Sequence, residues 1–505
     1  MPNEKKPIRT TTAIMWMRLF KKFKAPGVTL QTQLRNMLAH AIIEEYLLPD
    51  EALPSSRVLA QSLRLSRTTV TLAVQALLEE GFIYSKERSG YFVSTKRQPS
   101  YLTKEEAVNA DAPVAATEEE WETRFMVRPT SQRNIQKPAN WQQLPYPFIY
   151  GQFDATLFPA QAWRECVLET LQSRNVRHWA PDHLDGDDIT LVEQIQRRLL
   201  PARGIWVEKE EILITAGAQH ATFLLAQLLV GEKTQVGIEN PGYPDARNNF
   251  SLRTSQLHNI KVDAEGVVVQ EIVNTNCDYV FVTTSHQCPT TVTMSLERRH
   301  ELLLAAKNNN FYIIEDDHES ELNFSGKPTP ALKSLDTDNR VLYIGSLSKT
   351  LAHGIRLGFV VAPAKVVREL RALRRLMIRH APTNNQRAAA IFIARGYHDA
   401  FIQRLNKIYA ERCQAMLYAL EKHTPELKMS AMTGGSALWV SCPQEINTHQ
   451  LATSLIKKGV FIEPGDIFFS GKERPFNYMR MGYSSIHVDK IATGIEILAN
   501  EMNAI

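Results

Sequence analysis

"YIGSLSKTLAHGIRLGFV" occupies residues 343–360. It opens as an apolar strand, breaks into Ser346, Ser348 and Lys349, and supplies Arg356 seven residues later. A lysine and an arginine beside buried apolar sequence are costly unless an anion or a covalent partner meets them. The surrounding pattern shows where that meeting takes place. "TQVGIEN", "YVFVTTS", "FYIIEDD" and "VLYIGS" are brief β-branched or aromatic runs bounded by polar loops, and helical stretches such as "SLERRHELLLAAKNN" separate some of them. That rhythm predicts an α/β domain with a mostly parallel sheet. The tail, from "GGSALWVSCP" to "NYMRMGYSSI", mixes strands and helices and predicts a smaller α+β lobe.

Ligands of open α/β sheets collect at the carboxyl ends of the strands. Tyr243 follows "VGIENPG", His286 to Thr290 follow "VFVTTS", Asp316 follows "YIIE", and Ser346, Ser348 and Lys349 follow "LYIG". Four strand ends would thus face one pocket. Pyridoxal 5′-phosphate needs a lysine for its Schiff base, an acid at its pyridine nitrogen, an aromatic face and donors around a dianionic phosphate. Lys349, Asp316 and Tyr243 suit the first three needs. Arg356, Ser346 and Ser348 suit the last, with backbone N–H groups of Gly217, Ala218 and Gln219 at the start of a helix in "AGAQHATFLLAQLL". Other readings stand beside these. Asp317 competes with Asp316 as the acid, Tyr243 also suits the turn "NPGYP", and a single lysine is most often an exposed loop residue. "GSLSK" shares residues with a phosphate loop but lacks the glycines at Walker spacing.

With 505 residues the chain exceeds one core, so two to three domains are expected. Five cysteines without paired spacing speak against a disulfide framework or a zinc site and point to a reducing cytoplasm. The apolar start "TTAIMWMRLF" is too short to span a membrane and carries no cleavage signature. The net charge of +4 is uneven: residues 1–98 carry +7 and the remainder −3, which suggests a polyanion partner for the first part alone.

That first part reads as helices closed by a hairpin. "VTLQTQLRNMLAHAIIEEYL" spaces Leu30, Leu34, Met37, Ile42 and Leu47 helically. Ser55 suits the cap of a short second helix carrying Leu59, Ala60 and Leu63. Ser66 suits the cap of a third, with Val70, Ala73 and Leu77 inward and Gly81 as its stop. "FIYSKERSGYFVS" predicts a two-stranded wing. The third helix would enter the major groove with Arg67, Thr68 and Thr69 leading, while Arg57 and Arg88 hold the backbone. From residue 96 to 145, "KEEAVNADAPVAATEEEWE" and its surroundings lack an apolar face and predict a flexible linker.

"LPSSRVLAQSLRLSRTTVTLAVQALLEEGFI" resembles the GntR-type winged helix, which implies that Arg57, Ser66, Arg67, Thr68, Thr69 and the wing glycine Gly90 lie at DNA. Asp50 stands where that family usually has glycine. Residues 146–505 resemble a fold-type I aminotransferase through "ITAGAQHA", "ENPGYP", "HQCPTTVTMSLERR", "EDDHESELNF", "GSLSKTLAHGIRLGF" and "NYMRMGYSSI". This resemblance implies Lys349 as the cofactor lysine, Asp316 on the ring nitrogen, Arg356 on the phosphate and Arg480 on a ligand carboxylate. It also implies a homodimer, with the site at its interface. The two parts together resemble the MocR family: a winged helix at 28–95, a linker at 96–145 and an aminotransferase-like effector domain at 146–505. "YGQFDATLFPAQAWRE", "GGSALWV" and "VFIEPGDIFF" are similar to the branch containing regulators of taurine and ectoine use.

Three departures bear on chemistry. His318 stands where tyrosine usually donates to the cofactor's ring hydroxyl, Cys288 replaces the asparagine that shares this task, and Thr291 replaces a turn glycine. The resemblance implies a transcriptional regulator that senses an amino compound by imine exchange at Lys349. A working aminotransferase with an accessory DNA-binding domain is the alternative. A scaffold without cofactor is disfavoured by the retention of Lys349, Asp316 and Arg356.

Overall fold

The structure is a computed structural model that describes residues 13–25, 27–87, 89–94, 121–182, 186–324, 329–431 and 433–504. The chain divides into two units after Arg124.

The first unit contains helices α1 (Ala13–Lys22), α2 (Leu30–Ile43), α3 (Ser56–Leu63) and α4 (Arg67–Glu79), then strands β1 (Ile83–Lys86) and β2 (Gly90–Val93). Each of the last three helices begins at a hydroxyl that accepts a backbone N–H: Thr29 from Thr32, Ser55 from Val58 and Ser66 from Thr69. Leu34, Met37, Leu59, Leu63, Val70, Ala73 and Leu77 form one buried core, and full burial of each large side chain stabilises by roughly 1.5–3 kcal/mol. Two expected core positions shift. Leu30 is exposed, and Leu47 is buried only after α2 has ended at Ile43 and the chain has turned through Glu45 at φ +58°. The helix α1 adds Trp16 and Phe20 to this core, so the compact unit begins before residue 28. β1 and β2 pair antiparallel from Ile83↔Val93 to Lys86↔Gly90, with Gly90 at φ +100°.

The first strand of the second unit is the short β3 (Tyr146–Pro147). Its main sheet is built from β4 (Ile212–Thr215), β5 (Val236–Asn240), β6 (Leu257–Asp263), β7 (Gly266–Val267), β8 (Tyr279–Val282), β9 (Tyr312–Asp316), β10 (Val341–Ser346) and β11 (Gly358–Val361). The order is β4-β11-β10-β9-β8-β5-β6-β7. Pairings β10/β9, β9/β8, β8/β5 and β5/β6 are parallel; β11 runs antiparallel to both neighbours. Both faces are buried, as a parallel sheet requires. In β8, Val280 and Val282 join Ile260, Leu302 and Ile313 on one face, while Phe281 joins Leu224, Phe250 and Ile344 on the other. The helix α5 (Ala218–Leu229) leaves the end of β4 through Gly217 at φ +88°.

The smaller lobe pairs β12 (Lys428–Met429), β13 (Ala437–Ser441), β15 (Glu463–Pro464) and β16 (Tyr478–Gly482) in the order β12-β13-β16-β15, while β14 (Val460–Phe461) runs parallel to β3. Of the stretch expected to be a flexible linker, residues 96–120 lie outside the described residues, and the part from 132 onward is docked. Gln132 donates to Asn248 O at 3.0 Å, and Arg133 pairs with Asp466 at 2.7 Å. Composition hid this because the segment, which belongs to the second unit, is held chiefly by scattered polar bonds that leave no apolar periodicity.

Candidate functional site

The loops after β4, β5, β9 and β10 meet around a cavity of about 300 Å³. Ala218, Gln219, Tyr243, Asp316, His318, Ser346, Ser348, Lys349, Arg356 and Arg480 line it, as the sequence pattern leads one to expect. Gly217 stands behind the wall: a Cβ there would lie 3.1 Å from the Arg356 guanidinium. Of the run His286 to Thr290, only Cys288 reaches this cavity.

The two aspartates differ in their partners. Asp317 is ion-paired with Arg203 at 2.8 Å, accepts the Tyr343 hydroxyl at 2.8 Å and is bonded by Ser285. Its carboxyl stays below the usual range: burial opposes ionisation, but Arg203 and these donors outweigh it. Asp316 is equally buried, yet its Oδ1 has no hydrogen-bond partner, and His318 Nδ1 at 3.9 Å lies beyond reach. Burial, reinforced by the charge of Asp317, pushes the Asp316 carboxyl up to about 7. A buried, partnerless carboxylate oxygen at a cavity wall calls for a donor from a ligand.

Arg356 occupies the left-handed region at φ +53° and donates from Nη2 to Ala216 O at 3.0 Å, which fixes its guanidinium beside the N-terminus of α5. A guanidinium and the positive end of a helix dipole make a site for a phosphate-sized anion. The Tyr243 hydroxyl lies between Gln219 Oε1 at 2.9 Å and Asp245 Oδ2 at 3.0 Å. Ser348 donates to Leu357 O at 3.2 Å.

Lys349 Nζ lies 3.7 Å from Glu319 Oε1 and 4.3 Å from the Tyr150 ring centroid. Glu319 is held by the Ser436 hydroxyl at 2.8 Å; burial opposes its ionisation, but the Lys349 charge and this hydrogen bond bring its carboxyl below the usual range. Burial depresses the His318 imidazole to about 4, so the ring is neutral near pH 7. Burial also pushes the Cys288 thiol up to about 12. Thr291 sits at φ +62°, in the left-handed region that suits glycine and strains a β-branched residue. Arg480 is buried against Glu463, its Nε 2.7 Å from Oε2, and stacks on the rings of Tyr150 at 3.8 Å and Phe468 at 4.4 Å.

Sequence reasoning passed over Ile135, Lys137, Tyr150, Gly151, Asp245 and His353, all of which line the cavity. Tyr150 and Gly151 begin the motif "YGQFDATLFP" and so carried a signal. Lys137 sits in the stretch expected to be a linker and carried none.

In the first unit, α4 presents Ser66, Arg67 and Thr68 on its exposed N-terminal turn, with Arg57 exposed on α3. Arg88, expected in the wing, lies outside the described residues. Among the described residues, no group of three or more His, Cys, Asp or Glu could hold a metal ion, and no helix is long and apolar enough to cross a membrane. All five cysteines are buried, and no disulfide joins any two of them.

Residues 156–490 match the family model described as aminotransferase class I and II, and residues 30–93 match bacterial regulatory proteins of the gntR family. The HTH-type transcriptional regulator TauR of Rhodobacter capsulatus is 38% identical over 95% of this chain and 98% of its own. The probable rhizopine catabolism regulatory protein MocR of Rhizobium meliloti is 27% identical over 95% and 94%. Among solved structures, the Pyrococcus horikoshii kynurenine aminotransferase, in complex with PMP, superimposes with a TM-score of 0.69 at 27% identity, covering 76% of this chain and 98% of that one.

Proposed function

Because the chain belongs to the MocR family, a gntR-type winged helix joined to an aminotransferase class I and II domain, and is a DNA-binding transcriptional regulator, we propose that it binds pyridoxal 5′-phosphate in the cavity around Lys349 and uses it to sense an amino compound. The observation that carries this reading is Asp316. Its buried Oδ1 lacks a donor in the same cavity that offers an amine at Lys349 and a phosphate-sized anion site at Arg356. A protonated pyridine nitrogen is the donor that would bring the Asp316 carboxyl back to its charged form. The residues present therefore fit the group.

Asp316 would hold the ring nitrogen, Tyr243 would face the ring, and Arg356, Ser346, Ser348 and the first N–H groups of α5 would hold the phosphate. Bound there, pyridoxal 5′-phosphate supplies an aldehyde carbon that condenses reversibly with primary amines. Lys349 is the chain's own amine in the cavity. Glu319, at 3.7 Å, is placed to take up its ammonium whenever the amine is not engaged. His318, neutral at pH 7, offers one ring N–H and one acceptor where the family has a phenol. An effector amine that competes with Lys349 shifts the domain between two states, and the affinity for DNA follows by linkage. The reading takes the protein as a cytoplasmic homodimer whose two heads meet two half-sites, with Arg57, Ser66, Arg67, Thr68, Thr69, Arg88 and Gly90 at the DNA.

The test is a titration of the purified protein with pyridoxal 5′-phosphate, followed by absorbance, and of its affinity for duplex selected from a random-sequence library. A protein-specific visible band is expected, together with DNA affinity that changes when primary amines are added. Saturating cofactor that alters neither spectrum nor DNA binding overturns the sensor. Sustained conversion of an amino acid to its oxo acid would assign the enzyme reading instead.

A further inference from the structure

Three cations converge on one aromatic ring. Arg480, Lys349 and Lys137 lie 3.8, 4.3 and 6.0 Å from the centroid of Tyr150. Lys349 is committed to the cofactor in the reading above. Arg480 donates from Nε to Glu463 Oε2 at 2.7 Å and from Nη1 to Cys288 Sγ at 3.7 Å, while its buried Nη2, though 2.7 Å from the same Glu463 oxygen, has no hydrogen-bond partner. With Nη2 buried against Glu463, Nη1 is the guanidinium nitrogen left to meet an incoming acid, which falls short of a two-pronged grip. A second donor is needed, and Lys137 supplies it. Its Nζ lines the same cavity, donates to Tyr150 O at 2.5 Å and lies 3.9 Å from Glu463 Oε1. That oxygen is buried and has no hydrogen-bond partner, so Lys137 is near its counter-charge without being bound to it. Two of the three donors of the ammonium remain for other partners.

We propose that Lys137 is a specificity-determining residue that, with Arg480 Nη1, grips the acidic group of the effector, which is therefore an amine carrying a carboxylate or sulfonate. This rests on the reading of the cavity as a pyridoxal phosphate site. Lys137 also belongs to a docked segment with a cavity on either side. Ile135 lines both the site and a second cavity of about 560 Å³, bounded by Gln132, Arg133, His449 and Thr453. An acid held by Lys137 thus fixes the segment that partitions the two spaces.

The experiment uses the full chain loaded with pyridoxal 5′-phosphate and three probes: taurine, β-alanine and n-propylamine. Affinity is read from the cofactor absorbance for the wild type, Lys137→Met and Lys137→Arg. Lys137→Met is expected to lose tenfold or more in affinity for taurine and β-alanine relative to n-propylamine, and Lys137→Arg is expected to restore much of it. Hydrogen exchange across residues 129–138 is expected to slow on adding taurine to the wild type and not to Lys137→Met. A wild type that responds to the probes, with a Lys137→Met variant weakened equally for all three, overturns the assignment by giving Lys137 a merely structural role. A wild type without a cofactor band fails at the cofactor reading instead, so the two failures are distinct.

Discussion

Asp316 and Asp317 are consecutive and both buried, yet one is surrounded by donors and its neighbour has an oxygen with none. Asp316 titrates near 7 when folded, against an ordinary carboxyl near 4 in the unfolded chain, so the folded form binds its proton more tightly. By linkage its contribution to stability is greatest below the unfolded value, falls as pH rises to about 7 and is level above. The charged groups around it are Asp317 and Glu315 beside it in the chain and Lys349 from the loop after β10. Asp316→Asn removes this penalty. Cofactor-free variant should gain about 2 kcal/mol more at pH 8 than at pH 5.5, read by melting at both pH values. The same variant should bind pyridoxal 5′-phosphate more weakly.

Asp317→Asn should behave in the opposite sense. It leaves Arg203 buried with its charge uncompensated, which costs about 3–5 kcal/mol. Chemical denaturation at pH 8 checks this; a stability equal to wild type would mean that Arg203 is satisfied elsewhere.

Lys349→Ala should abolish the protein-specific absorbance produced by pyridoxal 5′-phosphate and, with it, any change in DNA affinity on adding amines. A variant that keeps both would place the reactive amine at another lysine, and Lys137 is the other one lining the cavity.

Much of this arrangement was legible because strand ends in a parallel sheet announce themselves: an apolar run, then polar residues with no surface role. β5, β8, β9 and β10 each gave that signal: Tyr243, Cys288 and Lys349 follow β5, β8 and β10, and Asp316 ends β9. β4 and β11 were visible only within "ITAGAQHA" and "GIRLGF". Lys137 was hidden because docking by scattered polar bonds leaves no periodicity. The difference between Asp316 and Asp317 depends on Arg203, which is more than a hundred residues away in sequence. The left-handed Asp50, at φ +59°, shows why glycine suits that turn. Aspartate tolerates this conformation, and its Oδ1 accepts the Tyr84 hydroxyl at 2.6 Å.

At the DNA-binding head, Arg67 is exposed on the first turn of α4 and has no part in the core. Arg67→Ala should weaken binding to the selected duplex by about 1–3 kcal/mol if the arginine contacts a base edge bidentately, with the melting temperature unchanged. Gel shift against melting separates this from misfolding, and an unchanged shift would move the reading head elsewhere.

Trp16 gives the contrasting case. It is 3% exposed and packs with Phe20 against the core of α2, α3 and α4, on a helix that precedes the region matched to the gntR family. Replacing a buried tryptophan by alanine costs about 3–5 kcal/mol, through lost burial and the cavity left behind. Against the roughly 5–15 kcal/mol that holds a domain together, this is a large fraction. Trp16→Ala should therefore lower the melting transition of the DNA-binding unit and, through unfolding, its DNA affinity, while the cofactor band of the second unit persists. Arg67→Ala and Trp16→Ala then lose the same function for opposite reasons. A Trp16→Ala protein that melts and binds DNA as wild type does would remove α1 from the core of the reading head.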